Sequence, residues 1–147
     1  MLDRKQIQRI HYNRQALQTD SYECPWEFDP DRHLLSAPYE FCRRWFLSRS
    51  LTGKEILDYG CGARALSIDI LAKSGALVTG VDISPESVRM ARKRAEVTGM
   101  SEHYTFEVGD CESLQYDSDR FDYVLSIGTL SCLELNAAYS EISRLLT

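Results

Sequence analysis

Residues 55–68 read EILDYGCGARALSI, and the rest of the chain is organised around them. Residues 54–59 form a short apolar run that predicts a buried strand. Gly60 and Gly62 predict a tight, open turn, and Ala65 predicts the start of a helix. A strand that ends in glycines and feeds a helix leaves backbone N–H groups pointing outward beside a positive helix end. Glycine carries no Cβ, so a ligand can approach the backbone closely. Alone, the pattern also fits an ordinary strand–turn–helix corner, because short glycine motifs recur by chance. The flanking segments decide between the two.

Downstream, strand and helix alternate. The helix opened by Ala65 is expected over 65–74, with Leu66, Ile70 and Leu71 facing inward and Gly75 as its stop. A second strand is expected at 77–81. Ser84 then reads as an N-cap, with Pro85 at the first helical position and Glu86 favouring the positive helix end. Val88, Ala91 and Ala95 form the inner stripe of that helix, and Gly99 closes it. Further strands are expected at 104–108 and 121–127. A last helix over 136–146 should bury Ala138, Tyr139, Ile142 and Leu145. Such alternation predicts βαβ units, and so an α/β, Rossmann-like, doubly wound parallel sheet of about four strands.

Upstream the character differs. Residues 3–18 are polar and helix-compatible; Ile7, Ile10, Arg14 and Leu17 share helical spacing, but Arg14 interrupts the apolar stripe, which predicts weak packing. Residues 19–32 hold Pro25, Pro30, Trp26 and Phe28 and read as an ordered loop. A second helix over 38–50 presents Tyr39, Cys42, Trp45 and Phe46 on one aromatic face. The organisation expected is a helical cap over 1–51 and a ligand-binding domain over 52–147.

Composition limits the function classes. The 147 residues carry a net charge of −5, so no overall basic footprint invites nucleic acid. The charged N-terminus lacks the apolar segment of a signal peptide, and no apolar run reaches membrane-spanning length. Five scattered cysteines, none spaced as CxxC, indicate neither a disulfide framework nor a metal site. The expectation is a reduced, cytoplasmic protein that does not engage a membrane.

Open α/β sheets bind ligands beyond the C-terminal ends of their strands. Strand one presents Asp58 and the glycine turn there, and strand two ends in Asp82, suited to accept from a ribose diol. Strand three ends in Gly109, Asp110 and Cys111, and strand four in residues 126–129. An aspartate at a strand end also serves turns and caps, which fits Asp110 taken alone. Asp82 beside Asp58 and the glycines points to a binding site.

The segments ILDYGCGARALSI, VTGVDISPESVRMARKRA, FEVGDCESL and FDYVLSIGTL resemble, in order and spacing, the successive motifs of class I S-adenosylmethionine-dependent methyltransferases. The resemblance covers residue 54 to the C-terminus. It implies S-adenosyl-L-methionine as cofactor. The Gly60–Gly62 turn would lie against the methionine portion, with Asp58 ordering the site. Asp82 would hold the ribose hydroxyls and Ile83 would pack on the adenine. Asp110 would accept from the adenine amino group, and the Cys111 backbone N–H would reach a ring nitrogen. The backbone around Gly128 would face the amino acid end.

Two departures from the family pattern stand out. Arg64 occupies the place of a usual third glycine; were φ positive there, arginine would cost about 1 kcal/mol or more, and weakened cofactor binding is expected. The residues SRLLT stand where the family continues into a fifth strand and an antiparallel hairpin. A C-terminally incomplete, truncated sheet is therefore expected, with strand four at an edge. Its apolar YVLSI segment predicts self-association, pairing with another chain or marginal stability.

The functional expectation is methyl transfer to a small-molecule acceptor. Two alternatives remain open: a nicotinamide-binding Rossmann protein, since Gly60, Gly62 and Ala65 also satisfy G-x-G-x-x-A, and a cofactor-binding scaffold without activity. His11 and His33 lie in the cap and are candidates for a general base, although a surface histidine is the plainer reading of both. His103 belongs to the opposite end of the sheet. Tyr12, Trp26 and Tyr39 are candidates for an acceptor pocket or for the core. Cys61 reads as a small turn residue rather than a nucleophile. No catalytic residue is assigned.

Overall fold

The structure, a computed structural model, describes residues 2–20, 36–71 and 74–147. The loop expected over 19–32 is corrected at its start, since residues 19–20 belong to the first helix; the rest of it, with Trp26 and Phe28, and His33 lie outside the described residues. In chain order the elements are α1 (Arg4–Asp20), α2 (Ser36–Leu47), β1 (Glu55–Tyr59), α3 (Ser67–Leu71), β2 (Leu77–Asp82) and α4 (Pro85–Val97). They continue with β3 (Tyr104–Val108), β4 (Tyr123–Leu125), a single 3₁₀ turn (Leu130–Cys132) and α5 (Leu135–Leu145).

The four strands form one parallel sheet in the order β3-β2-β1-β4. The chain steps outward from β1 through β2 to β3, then returns to the other side of β1. Asp58, near the C-terminal end of β1, has Gly80 of β2 on one side and Leu125 of β4 on the other. The order reverses at that point, which is where an open sheet leaves a crevice.

Period-two alternation along the strands divides the core. Ile56, Val78, Phe106 and Leu125 pack with Phe46 of α2, Ile68 and Leu71 of α3, and Val88, Ala91 and Ala95 of α4. Leu57, Tyr59, Val81 and Phe121 pack with Ala138 and Leu145 of α5 on the other face. The cap on α4 is as expected: Ser84 Oγ accepts from Ser87 N at 3.0 Å, and Pro85 opens the helix.

Several local expectations are corrected. The strand expected over 121–127 is three residues long; Phe121 instead makes an isolated parallel bridge to Leu146. It is the edge strand of the described sheet, but Trp45 and Phe46 of α2 stand edge-on to Tyr123 at 5.9 and 5.7 Å and cover part of it. Tyr139 is 57% exposed, because the buried stripe of α5 runs through Ala138, Ile142 and Leu145 and leaves Tyr139 one step round the helix. Helix α3 begins at Ser67 rather than at Ala65, whose φ of 39° is left-handed. Leu66 is consequently half-buried at the crevice rather than in the core.

Helix α1 is docked the opposite way round from its apolar stripe. Ile7, Ile10 and Leu17 are 55%, 50% and 54% exposed, whereas Ala16 is 1% exposed and polar side chains face the loops beyond the strand ends. Among the described residues, no helix is long and apolar enough to cross a membrane.

Candidate functional site

The C-terminal ends of the strands open on one cavity of about 410 Å³. All the residues singled out as cofactor contacts line it. Asp58, Gly60 and Gly62 come from β1 and its turn, Asp82 and Ile83 from the end of β2, Asp110 and Cys111 from the segment after β3, and Gly128 from the segment after β4.

Asp58 is 3% exposed, and its Oδ2 has no hydrogen-bond partner. Burial pushes its pKa up to about 7; the neighbouring Ser67 hydroxyl opposes this and the Asp82 carboxylate adds to it. The Ser67 Oγ is likewise buried without a hydrogen-bond partner. A buried acceptor in this state is suited to a ligand that brings a donor.

The two glycines do different work. Gly60 has φ 81°, and a Cβ on it would fall 2.1 Å from Thr129 Oγ1, so it is required by the loop after β4. Thr129 Oγ1 donates to Gly60 O at 3.1 Å. Gly62, at φ 62°, has nothing within 4 Å of its Cβ position, and only there does the turn offer open approach. The outward N–H groups expected of the turn are used internally. Gly60 N and Cys61 N both donate to Val81 O at 2.9 Å, and Gly62 N donates to Asp82 Oδ2 at 3.0 Å.

Asp82 Oδ1 also accepts from Ser84 N at 2.9 Å. Burial raises its pKa, and these two backbone donors hold the carboxylate against that trend. Each oxygen keeps a second lone pair, and Asp82 lines the cavity. Asp110 Oδ1 accepts from Glu112 N at 3.0 Å, and its Oδ2 accepts from Lys5 Nζ.

Helix α1 closes the cavity. Arg4 Nη2 donates to both Glu112 oxygens at 2.6 and 2.7 Å, and Lys5 Nζ lies 3.1 Å from Glu112 Oε2. Burial opposes ionisation of Glu112, but Arg4, the Glu134 N–H and Lys5 together hold its pKa down to about 2. Further along, Arg9 Nε donates to Ile83 O at 3.2 Å, and Ser84 Oγ donates to Asn13 Oδ1 at 2.6 Å. Gln8 Nε2 donates to Cys132 O, and the Tyr12 hydroxyl lies 3.0 Å from Cys132 Sγ. That contact, with burial, pushes the Tyr12 pKa up to about 12.

Residues 50–147 match the family model described as a methyltransferase domain. The chain belongs to the S-adenosylmethionine-dependent methyltransferase family. Among curated relatives of this methyltransferase-family domain, a sterol 24-C-methyltransferase of Gibberella zeae is 30% identical over 158 residues, covering 95% of this chain and 38% of that one. A ubiquinone biosynthesis O-methyltransferase of Coxiella burnetii is 41% identical over 86 residues, 58% of this chain and 33% of that one. The chain therefore spans about a third of the length of these relatives. Of solved structures, the magnesium protoporphyrin IX methyltransferase of Synechocystis PCC 6803 shares the fold with a TM-score of 0.75 and 24% identity, covering 98% of this chain and 68% of that one. The [4+2]-cyclase SpnF shares it equally well, with a TM-score of 0.75 and 23% identity over 99% of this chain and 57% of that one.

Within the methyltransferase-family domain, the expectation for Arg64 is corrected. Positive φ falls on Ala65 and not on Arg64, so the arginine carries no left-handed strain. Its side chain is exposed at the cavity rim. His11 is exposed on α1 against the edge of Tyr12 and does not line the cavity, and His103 is exposed before β3. Tyr12 lines the cavity, whereas Tyr39 packs against the core. Burial pushes the Cys61 and Cys111 thiols well up, so neither supplies a thiolate. The sequence does not single out Lys5, Gln8, Gln15, Cys132 or Leu133 as site residues. The Lys5–Asp110 and Gln8–Cys132 contacts join parts of the chain more than a hundred residues apart, and no local pattern signals them.

Proposed function

We propose that the chain binds S-adenosyl-L-methionine in this cavity and positions a small-molecule acceptor beneath α1 for methyl transfer. The observation that carries this is the gathering of the strand-end carboxylates around one cavity, with the Asp58 oxygen buried and unpartnered. The residues fit the cofactor. Open space at Gly62 and Gly128 leaves room against the backbone, and the volume is of ligand-pocket size. Asp82 would hold the ribose hydroxyls, Ile83 would pack on the adenine, and Asp110 with the Cys111 N–H would read the adenine edge. Asp58 and the turn from Gly60 to Gly62 would face the methionine portion, and Gly128 its amino acid end.

When bound, the cofactor supplies a methyl group already activated on a sulfonium. The contribution of the chain is proximity and alignment. Gln8, Tyr12, Ala16, Cys132 and Leu133 give the acceptor side a neutral lining, which supports a small uncharged acceptor over nucleic acid. With its pKa near 12, Tyr12 acts there as a hydrogen-bond donor rather than as a base. The turn argues against a nicotinamide dinucleotide. Three of its N–H groups are already engaged within the chain, which leaves few donors for a pyrophosphate. The cap over 1–51 and self-association through the β4 edge belong to the same proposal.

A calorimetric titration with S-adenosylhomocysteine tests the reading, with Asp82→Ala and NADH as controls. Saturable binding lost in Asp82→Ala supports it; no binding by the folded chain, or binding of NADH instead, removes it. Binding without transfer to any acceptor in a screen supports the second reading, an inactive scaffold. Size-exclusion chromatography addresses the edge, where a monodisperse monomer contradicts self-association.

A further inference from the structure

Arg94 lies on α4, away from the cavity, and is 3% exposed. Its Nη2 donates to both Asp69 oxygens, at 2.8 and 2.7 Å. Its Nη1 donates to Ala65 O at 3.0 Å and to Arg64 O. One guanidinium thus ties together the last carbonyls of the glycine turn and the α3 helix that follows. Ala65 is held at φ 39°, a conformation that side-chain-bearing residues avoid and glycine adopts freely. Two local turn bonds, Ala65 N to Gly62 O at 3.3 Å and Ile68 N to Ala65 O at 3.0 Å, bracket the residue, and the Arg94 guanidinium adds a tie from α4.

We infer that Arg94 is a positioning residue for the cofactor turn: it straps Ala65 into the left-handed conformation that a glycine would adopt unaided. The strap spans two elements. Asp69 fixes the plane of the guanidinium from α3, and α4 supplies its anchor. Lysine cannot take over this role, because an ammonium is a point charge without the planar fork that reaches carbonyls and carboxylate together. The inference rests on the proposed cofactor reading for its consequence, and on the geometry of the turn for its existence.

The test is a double-mutant cycle between Arg94→Lys and Ala65→Gly, read in two ways. The first readout is S-adenosylhomocysteine affinity. Arg94→Lys is expected to weaken it by about tenfold or more, since a loosened turn must be ordered on binding. Ala65→Gly alone should change it little. In the Arg94→Lys background Ala65→Gly should restore most of the loss, because glycine adopts the required φ without the strap. The second readout needs no cofactor. Hydrogen exchange at the amides of Ile68, Asp69 and Ile70 should accelerate in Arg94→Lys and slow again in the double variant, with the β1 amides unchanged. Equal effects of Ala65→Gly in both backgrounds, or unaltered exchange in Arg94→Lys, overturn the inference. Failure of the wild-type chain to bind overturns the cofactor reading alone, and the exchange data then decide the strap. Should Arg94→Lys not fold, Asp69→Asn loosens the same guanidinium and is held to the same two readouts.

Discussion

Replacing Asp58 by asparagine should change how stability depends on pH, and the size of the change follows from the burial of this side chain. In the native state burial raises the Asp58 pKa from its ordinary 3.8 to about 7. The fold therefore binds a proton that the unfolded chain has released across that interval. The contribution of Asp58 to stability is greatest below pH 4, falls as pH rises toward 7, and is flat above it. At about 1.4 kcal/mol per pH unit, the loss attributable to Asp58 is about 4 kcal/mol. An amide cannot titrate, so the Asp58→Asn variant lacks this slope. The amide brings its own unmet donors, which offsets the variant by about 1–3 kcal/mol at every pH. The slope, rather than the offset, is the diagnostic. Urea unfolding at half-unit intervals from pH 4.5 to 8.5, with wild type and variant in the same buffers, measures it. Titrating groups remote from Asp58 contribute equally to both proteins and cancel in the difference, which leaves Asp58 and the Asp82 carboxylate that acts on it. Parallel curves would refute the assignment of a raised pKa to Asp58. A convergent result is expected from the ligand side: the affinity for S-adenosylhomocysteine should rise with pH through 7 in the wild type only, as a donor beside Asp58 favours its ionised form.

Three further outcomes are expected. Gly60→Ala should destabilise by about 2–4 kcal/mol in denaturant titrations, combining left-handed φ with overlap against Thr129, whereas Gly62→Ala should cost only about 1 kcal/mol yet reduce cofactor affinity. Phe121→Ala, at a fully buried site against α5, should lower stability by about 3–5 kcal/mol and broaden no other property of the unfolding transition. Lys5→Ala should speed S-adenosylhomocysteine dissociation severalfold in stopped flow, and added salt should mimic it in the wild type only, since the pair with Asp110 is partly solvated.

The parts legible from sequence are those with local causes. Tyr104–Val108 forms the strand its alternation predicts, and Ser84 caps α4 because its hydroxyl needs only the next turn. The strand-end carboxylates are legible because parallel topology alone brings strand C-termini together. What escapes has distant causes. Nothing in the sequence around Ala65 predicts a left-handed alanine, since the group that holds it arrives from Arg94. The apolar spacing of Ile7, Ile10 and Leu17 predicts a buried stripe, but the docked face is set by polar partners such as Glu112, Ser84 and Cys132. Both glycines of the turn read as serving a ligand; only the loop after β4 reveals that Gly60 serves Thr129.

Helix α1 lends the described interior one alanine, Ala16, and that residue belongs to neither of the two core clusters. The ties from Arg4, Lys5, Gln8, Arg9 and Asn13 are polar latches. The two halves of the cavity are consequently fastened by different forces. The half beneath the strand ends is built on the apolar core. The half lined by Gln8, Tyr12 and Ala16 hangs on hydrogen bonds and ion pairs to the strand-end loops, so added salt should loosen it while the sheet stays folded.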